Sequence, residues 1–150
     1  MSDTLGDFMK YARAFQEAYA TDDWARVEIL FDDDIVWGAG GPGLPPGTGY
    51  LARGRSNASA AVKKSCDMYD RRFDRREPIP TSGPVAIPGG VHLEWVVTYT
   101  REGLPPIVVR GEEWDLFRDG KLVMHYECIH NGAEFAAFLS EHDAALLPVR

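Results

Sequence analysis

The chain has 150 residues, of which 45% are hydrophobic and 26% are charged, the length and composition of one globular domain with a core. Its 23 acidic and 16 basic residues give a net charge of −7, which disfavours phosphate backbones and anionic lipid, so we expect no nucleic-acid and no membrane partner. No apolar run approaches the ~20 residues of a membrane span, and the N-terminus lacks a signal-peptide pattern, so we expect a soluble, cytoplasmic protein.

The first part of the chain has helical periodicity. Apolar residues recur there at steps of three or four, at Leu5, Phe8, Ala12, Phe15 and Tyr19. This spacing predicts an amphipathic helix. Thr21 is expected to cap a second, short helix that buries Trp24, Val27 and Phe31, and Ser56 to cap a third.

The rest of the chain divides into loops and strands. Two windows rich in glycine and proline, residues 38–50 and 78–90, are predicted to be loops. Residues 32–34, which are all aspartate, are predicted to form a helix-terminating turn. Period-two alternation predicts an antiparallel meander of three strands, over residues 91–101, 107–117 and 121–130. A last helix opens at Asn131. Helices followed by a curved antiparallel sheet predict a single α+β domain over residues 1–150, with its core at about 5–140 and helices over one face of the sheet.

Polar residues interrupt one face of the predicted sheet. The turn at residues 118–120 fits a three-residue hairpin that pairs Phe117 with Lys121. That register places Glu113 opposite His125, with Glu127 beside them on the same side of the sheet.

Two interpretations of this polar group remain open. If the group lies on a concave face under the helices, desolvation raises the carboxyl pKa values, and an imidazole is at hand for acid/base chemistry. If the face is exposed, Glu113 and His125 form an ordinary cross-strand pair. Two hairpin registers also leave choices open. A slip of one residue in the later hairpin replaces Glu113 by Glu112, together with Trp114. In the earlier hairpin, between residues 101 and 107, the register leaves open whether Glu94 or Trp95 joins the face of Glu113.

Other charged residues have simpler interpretations. Four arginines between residues 71 and 76 could attract an anionic substrate, but the acidic residues among them favour a solvated, ion-paired face. We expect no metal, because the two His-x-Glu pairs lie on strands that are not neighbours and no metal-site spacing occurs. Cys66 and Cys128 are too far apart for a CxxC-type site.

Four sequence stretches resemble a known family. They are Ile29-Leu30-Phe31-Asp32-Asp33-Asp34, Arg53-Gly54-Arg55, Leu93-Glu94-Trp95, and residues 118–127 with the sequence RDGKLVMHYE. They are similar to signature stretches of the nuclear transport factor 2-like superfamily, in its SnoaL-like, polyketide-cyclase-like branch. The resemblance implies a cone-shaped curved sheet whose concave face, covered by helices, is a ligand cavity.

The resemblance also carries site positions over to this chain. The helix tyrosine and the general-base aspartate of ketosteroid isomerases fall on Phe15 and about Ala39, which disfavours steroid isomerisation by that mechanism. A catalytic acid of the penultimate strand falls on Glu113, and a last-strand aspartate falls on Glu127. The arginine and aspartate of the epoxide hydrolases fall near residues 92–94, where no arginine is present.

From the resemblance we expect a cofactor-independent enzyme acting on a small, largely apolar organic molecule, such as a polyketide or terpenoid. Glu127 is expected to act as general base, Glu113 as protonated donor, and His125 as the group that orients or shuttles the proton. Substrate-binding roles are assigned to Phe15, Tyr19, Trp37, Glu94 and Trp114. The alternative is a non-catalytic ligand-binding or dimerisation module.

Two further expectations concern a lid over the cavity and a homodimer. The loop at residues 38–50 is rich enough in glycine to hinge over the cavity as a lid. A homodimer is expected through the outer face of the sheet, because that face would otherwise expose a large apolar patch. The residues assigned to this patch are Leu93, Trp95, Tyr99, Met124 and Tyr126.

Overall fold

The structure is a computed structural model, and it describes residues 3–42 and 50–150. Within these residues the helices are α1 (Thr4–Thr21), α2 (Ala25–Glu28), α3 (Arg55–Met68) and α4 (Gly132–Glu141). The strands are β1 (Phe31–Gly40), β2 (Tyr50–Arg53), β3 (Arg75–Ile87), β4 (Gly90–Thr100), β5 (Ile107–Arg118) and β6 (Lys121–Ile129). No helix of this described part is both long enough and apolar enough to cross a membrane.

The six strands form one curved sheet in the order β2-β1-β6-β5-β4-β3. The predicted meander of β4, β5 and β6 is confirmed, as is the α+β class with helices over the concave face. The prediction of a fully antiparallel sheet needs one correction. Strand β1 pairs with β6 in parallel, so an early and a late segment of the chain lie side by side in one sheet.

Helix α1 follows the predicted apolar stripe, with Phe8 and Ala18 buried against the sheet. The predicted cap at Thr21 was wrong. Asp22 instead ends α1 in a left-handed conformation (φ 61°), and α2 begins only at Ala25. Phe31 is fully buried as expected, but it opens strand β1 instead of closing a helix.

The window of residues 78–90, predicted to be a loop, is mostly strand β3, paired with β4 along almost its whole length. Strand β3 lies at the edge of the sheet, where a proline without an N–H group costs no ladder hydrogen bond on the solvent side. The three prolines of the strand therefore do not break it, although in sequence they are typical of a loop.

Two other expectations concern residues 32–50. Residues 32–34 belong to strand β1 and do not form a turn; Asp32 accepts a hydrogen bond from Arg118 at 2.9 Å. In the expected lid, residues 38–40 complete β1 and Tyr50 opens β2. Residues 43–49 lie outside the described residues, so the lid stays a prediction.

The β5–β6 hairpin decides which residues face each other in the site. Asp119 and Gly120 both have positive φ, 51° and 75°, so they form a two-residue turn that pairs Arg118 with Lys121. A bulge follows, and Asp115 then lies opposite His125. The turn and the bulge each shift the expected register by one residue. Because side chains alternate with period two, the two shifts together restore the predicted face.

The core has two parts on the concave side of the sheet. One is built around Phe31 and Ile35 under α1, α2 and α3. The other surrounds Phe73 and Phe135 and includes Leu146, which is 6% exposed, so packing extends beyond the expected limit near residue 140.

Candidate active site

A cavity of about 470 Å³ lies between the helices and the concave face of the sheet. This volume is in the range of small-molecule sites. Helix α1 contributes Phe8, Tyr11 and Phe15 to its wall, α3 contributes Val62, and the sheet contributes most of the rest. The lining is mainly aromatic and aliphatic, with a few polar side chains in two groups.

The first polar group consists of Glu113 and Asp115 on β5 with His125 and Glu127 on β6. His125 Nδ1 donates a hydrogen bond of 2.7 Å to Asp115 Oδ1, and His125 Nε2 lies 3.5 Å from Glu127 Oε1. Asp115 is 0% exposed and does not reach the cavity, whereas Glu113, Glu127 and the 4% exposed His125 line it. The imidazole is therefore held between a buried carboxylate and one that faces the cavity.

Aromatic rings complete the surroundings of His125. The ring of Trp37 stacks on the imidazole with a centroid distance of 5.5 Å and an interplanar angle of 8°. Tyr11 lies on another side, with its ring centroid 6.2 Å away. A side chain that is stacked, hydrogen-bonded and buried has one orientation, so Nε2 stays directed towards Glu127.

The environment shifts the pKa values of this group. Burial by itself lowers the pKa of His125, but the charges of Asp115 and Glu127 and their hydrogen bonds outweigh it, so this pKa is raised well above 6.5. Burial, followed by the charges of Asp115 and Glu127, raises the pKa of Glu113 well above 4.5. Both shifts favour the protonated forms, a cationic imidazole and a neutral Glu113 carboxyl group.

One oxygen of the Asp115 carboxylate has no donor in the described part of the chain. Asp115 Oδ2 is buried, and no N–H or hydroxyl group of the described residues donates to it. A side-chain hydrogen bond with Asp115 contributes to the raised pKa of Glu113, after burial and the neighbouring charges.

The residues expected to bind substrate fall into two sets. Phe15 and Trp37 line the cavity, whereas Tyr19 lies beside its wall with the Arg71 guanidinium 4.8 Å above its ring. Glu94 and Trp114 were wrongly placed. Glu94 pairs with Glu112 in the β4–β5 register and is exposed, and Trp114 packs on the same convex face, so neither reaches the cavity.

Two residues around His125 were not predicted as site residues from the sequence. Tyr11 lies one helical turn before Phe15 on the same face of α1, and this spacing was a usable signal. Asp115 lies two residues after Glu113 and so shares its face, but only the observed register places it against His125.

The arginine-rich segment is not the solvated face that was expected. Arg72 is 8% exposed and donates a 2.6 Å hydrogen bond to Asp143 Oδ1. Of the four arginines, only Arg75 has a largely exposed side chain. Arg76 lines the cavity together with Asp70. These two residues, with Tyr99 and Cys66, form the second polar group.

The convex face of the sheet differs from the expected dimer surface. Leu93, Trp95 and Tyr99 line the cavity, on the opposite face from the one expected. Of the five predicted contact residues only Met124 and Tyr126 remain on the convex side, because Leu93 shares its face with Glu113.

Among the described residues, two sets of side chains have metal-ligand spacing. The ligand atoms of Glu113, His125 and Glu127 lie within 4.8 Å of one another, and so do those of Glu112, Cys128 and His130 on the convex side. Oxygen, nitrogen and sulfur atoms of these kinds bind divalent transition metals, so each set could hold one ion.

No family model and no curated protein matches this sequence. Many solved structures share its fold. A putative isomerase from Rhodopseudomonas palustris is 18% identical, with a TM-score of 0.65 over 88% of this chain and 96% of that one.

Two further structures extend the comparison. A putative SnoaL-like polyketide cyclase from Jannaschia sp. CCS1 is 15% identical, with a TM-score of 0.64 over 93% of this chain and 94% of that one. A protein of ketosteroid isomerase-like fold from Catenulispora acidiphila, in complex with trimethylamine, is also 15% identical, with a TM-score of 0.59 over 83% and 88%. The helix-covered curved sheet, its cavity and these neighbours together show that the chain has the nuclear transport factor 2-like fold.

Proposed function

We propose that the cavity is the active site of a cofactor-independent enzyme that moves a proton on a small organic molecule, in a cyclase, isomerase, hydrolase or dehydratase type of reaction. The observation that carries the proposal is the position of His125, fixed between Asp115 and Glu127 beside a carboxyl group whose pKa is raised. Such pairs of acids with different protonation states are typical of sites that use general acid/base catalysis.

Each residue has a distinct part in the proposed reaction. Glu127 faces the cavity and accepts a proton from the substrate as general base. Glu113 stays protonated and donates a hydrogen bond or a proton to the oxygen on which negative charge develops. His125 is a positioning residue, because its ring, anchored by Asp115, directs Nε2 at Glu127 and holds that carboxylate in place.

The lining supports a substrate with an extended apolar part. Aromatic rings from Phe15, Trp37 and Trp95 surround the space beside the carboxyl groups. Such walls exclude water and strengthen the electrostatic interactions inside the cavity. The neighbours described as a putative cyclase and a putative isomerase are in keeping with this class of chemistry.

Hydrogen exchange on an enolisable ketone tests the proposal without knowledge of the natural substrate. β-Tetralone is incubated with the protein in D₂O, and loss of its α-proton signals is followed by NMR. We expect exchange above the buffer rate, and a reduction of about 10²–10⁴-fold in the Glu127→Gln variant.

A matched control lies next to the site. Glu112 neighbours Glu113 in sequence but lies on the convex face, so Glu112→Gln should leave the exchange rate unchanged, whereas Glu113→Gln should reduce it. Equal rates for wild-type protein and Glu127→Gln contradict the proposed mechanism.

The second candidate function is a ligand-binding protein without catalysis. It is favoured by Phe15, which presents a hydrocarbon ring to the cavity at the position onto which the resemblance carries the tyrosine of ketosteroid isomerases. Saturable binding of an aromatic ligand, with no exchange above the buffer rate for a panel of ketones, favours this second function.

A further inference from the structure

The second polar group of the cavity contains a guanidinium whose donors are only partly used. Arg76 comes from the edge strand β3, where it pairs with Tyr99, and its side chain is 15% exposed. Within residues 3–42 and 50–150, the acidic oxygen nearest to it is Asp70 Oδ2, 3.5 Å from Nε. Arg76 donates no hydrogen bond to these residues, and its buried Nε has no acceptor.

Asp70 is already engaged by other donors. The Tyr99 hydroxyl donates a short hydrogen bond to Asp70 Oδ1, and the Cys66 thiol also hydrogen-bonds to this carboxyl. An arginine has five N–H donors and is always charged. Nε faces Asp70, whereas the two Nη groups of Arg76 have no acceptor among residues 3–42 and 50–150, so they are the donors that an acceptor brought by the ligand would meet.

The orientation of the guanidinium suits this role. Its Cζ lies 5.8 Å from the ring centre of Phe15 and 5.5 Å from that of Tyr19, so two aromatic faces support the cation. Arg76 and Phe15 both line the same cavity as Glu113 and Glu127. A planar fork held in this way is well shaped for a two-oxygen anion.

The two polar groups are also electrostatically connected. The negative charge of Glu127 raises the pKa of His125 and Glu113, and it acts in the same direction on Asp70 and Tyr99. Glu127 therefore lies within range of both groups. A ligand whose acidic group binds at Arg76 therefore has its apolar part beside Glu127, the proposed base.

We propose that Arg76 is a binding residue for an anionic oxygen group, so that the natural ligand is an amphipathic organic acid or enolate with an apolar body. This inference rests on the proposed function only in that both place the ligand in the same cavity. The acid group binds at Arg76, and the apolar body extends along Phe15 and Trp95 towards Glu127.

Two fluorescent probes with one aromatic skeleton test the proposal. Anilinonaphthalene sulfonate carries an anionic group, and phenylnaphthylamine lacks it. We expect the wild-type protein to bind the sulfonate more tightly than the neutral probe. The Arg76→Met variant should lose about tenfold or more in sulfonate affinity, with less than about a threefold change for the neutral probe.

Three further variants control for charge and folding. Arg76→Gln keeps a hydrogen-bond donor without the charge and should behave like Arg76→Met, which covers the case in which the methionine variant does not fold. Arg76→Lys should retain a preference for the sulfonate. Arg75→Met removes an exposed arginine next in sequence, 69% exposed, and should change neither affinity.

Probe affinity tests the anion site independently of the proposed catalysis. The Glu127→Gln variant should retain the preference for the sulfonate, because binding at Arg76 does not need the base. Equal affinity of the wild-type protein for the two probes, or equal losses for both probes in Arg76→Met and Arg76→Gln, overturns the anion site and leaves the hydrogen-exchange result unaffected.

Discussion

Asp115 lies directly opposite His125 in the β5–β6 ladder, and its Oδ1 accepts a 2.7 Å hydrogen bond from His125 Nδ1 beneath the floor of the cavity. The pair is closed to solvent, since the two side chains are 0% and 5% exposed. Removing one partner of such a pair leaves a buried charge without compensation. The site and the stability of the sheet therefore depend on the same contact.

The Asp115→Asn variant should lose about 3–5 kcal/mol of unfolding free energy, measured by urea denaturation. The pKa of His125, followed by NMR, should fall because its strongest neighbouring charge is gone. In the wild-type protein this pair contributes stability that is present below pH 6.5, the ordinary pKa of histidine, and is lost as the pH rises through the raised folded value. An unchanged histidine titration in the variant contradicts the assignment of Asp115.

The Glu113→Gln variant should be more stable than the wild-type protein at neutral and mildly alkaline pH. In the unfolded chain Glu113 ionises above about 4.5, whereas the folded protein keeps the proton, so wild-type stability falls as the pH rises between these two pKa values. The gain is about 1.4 kcal/mol for each unit by which the pKa is raised. Denaturation curves at several pH values should show this gain shrinking towards acid pH.

Glu112, on the convex face, provides a control because its pKa is shifted in the direction opposite to that of Glu113. Hydrogen bonds from His92 and His130 lower the pKa of Glu112, so its contribution to stability is present above about 4.5 and is lost as the pH falls through the folded value. The Glu112→Gln variant should therefore be less stable than the wild-type protein at neutral pH and equal to it in acid. The same pH dependence for both variants argues against a buried, protonated Glu113.

Self-association should involve the convex face of the sheet, where Trp114 and Tyr126 pack with ring centroids 6.4 Å apart. We expect sedimentation at micromolar concentration to give about twice the 16.7 kDa of one chain. Tyr126→Glu should give the mass of one chain, because a charge is placed in an apolar contact. Lys64→Glu, on the exposed side of α3, should have no effect. A wild-type protein that sediments as a single chain contradicts the expected homodimer.

Hydrogen exchange on β-tetralone should persist after treatment with a chelator, because the proposed reaction uses only side-chain acids and bases. The control is the same protein after addition of Zn²⁺, which should inhibit by occupying the oxygen and nitrogen atoms of Glu113, His125 and Glu127. Loss of exchange on chelation, restored by a divalent metal, shows instead a metal-dependent site.

Much of the fold was predictable from sequence because local patterns determine it. The apolar stripe of α1 and the alternation in β4, β5 and β6 follow from side-chain periods of 3.6 and two, which hold whatever the rest of the chain does. Alternation also grouped Glu113, His125 and Glu127 on one side of the sheet. That grouping held although the assumed register was wrong, because the two one-residue shifts cancelled.

What alternation cannot decide is which face of a strand becomes the concave one. The side chains of Leu93 and Trp95 were assigned to the outside and lie in the cavity, because the packing of the helices selects the covered face. Long-range pairing likewise made a proline-rich segment into strand β3 and directed Arg76 into the cavity. Local patterns therefore predict most of the helices and strands and the set of acids that share a face. The contact between Asp115 and His125 follows only from the folded chain, because strand register and helix packing depend on contacts between residues far apart in the chain.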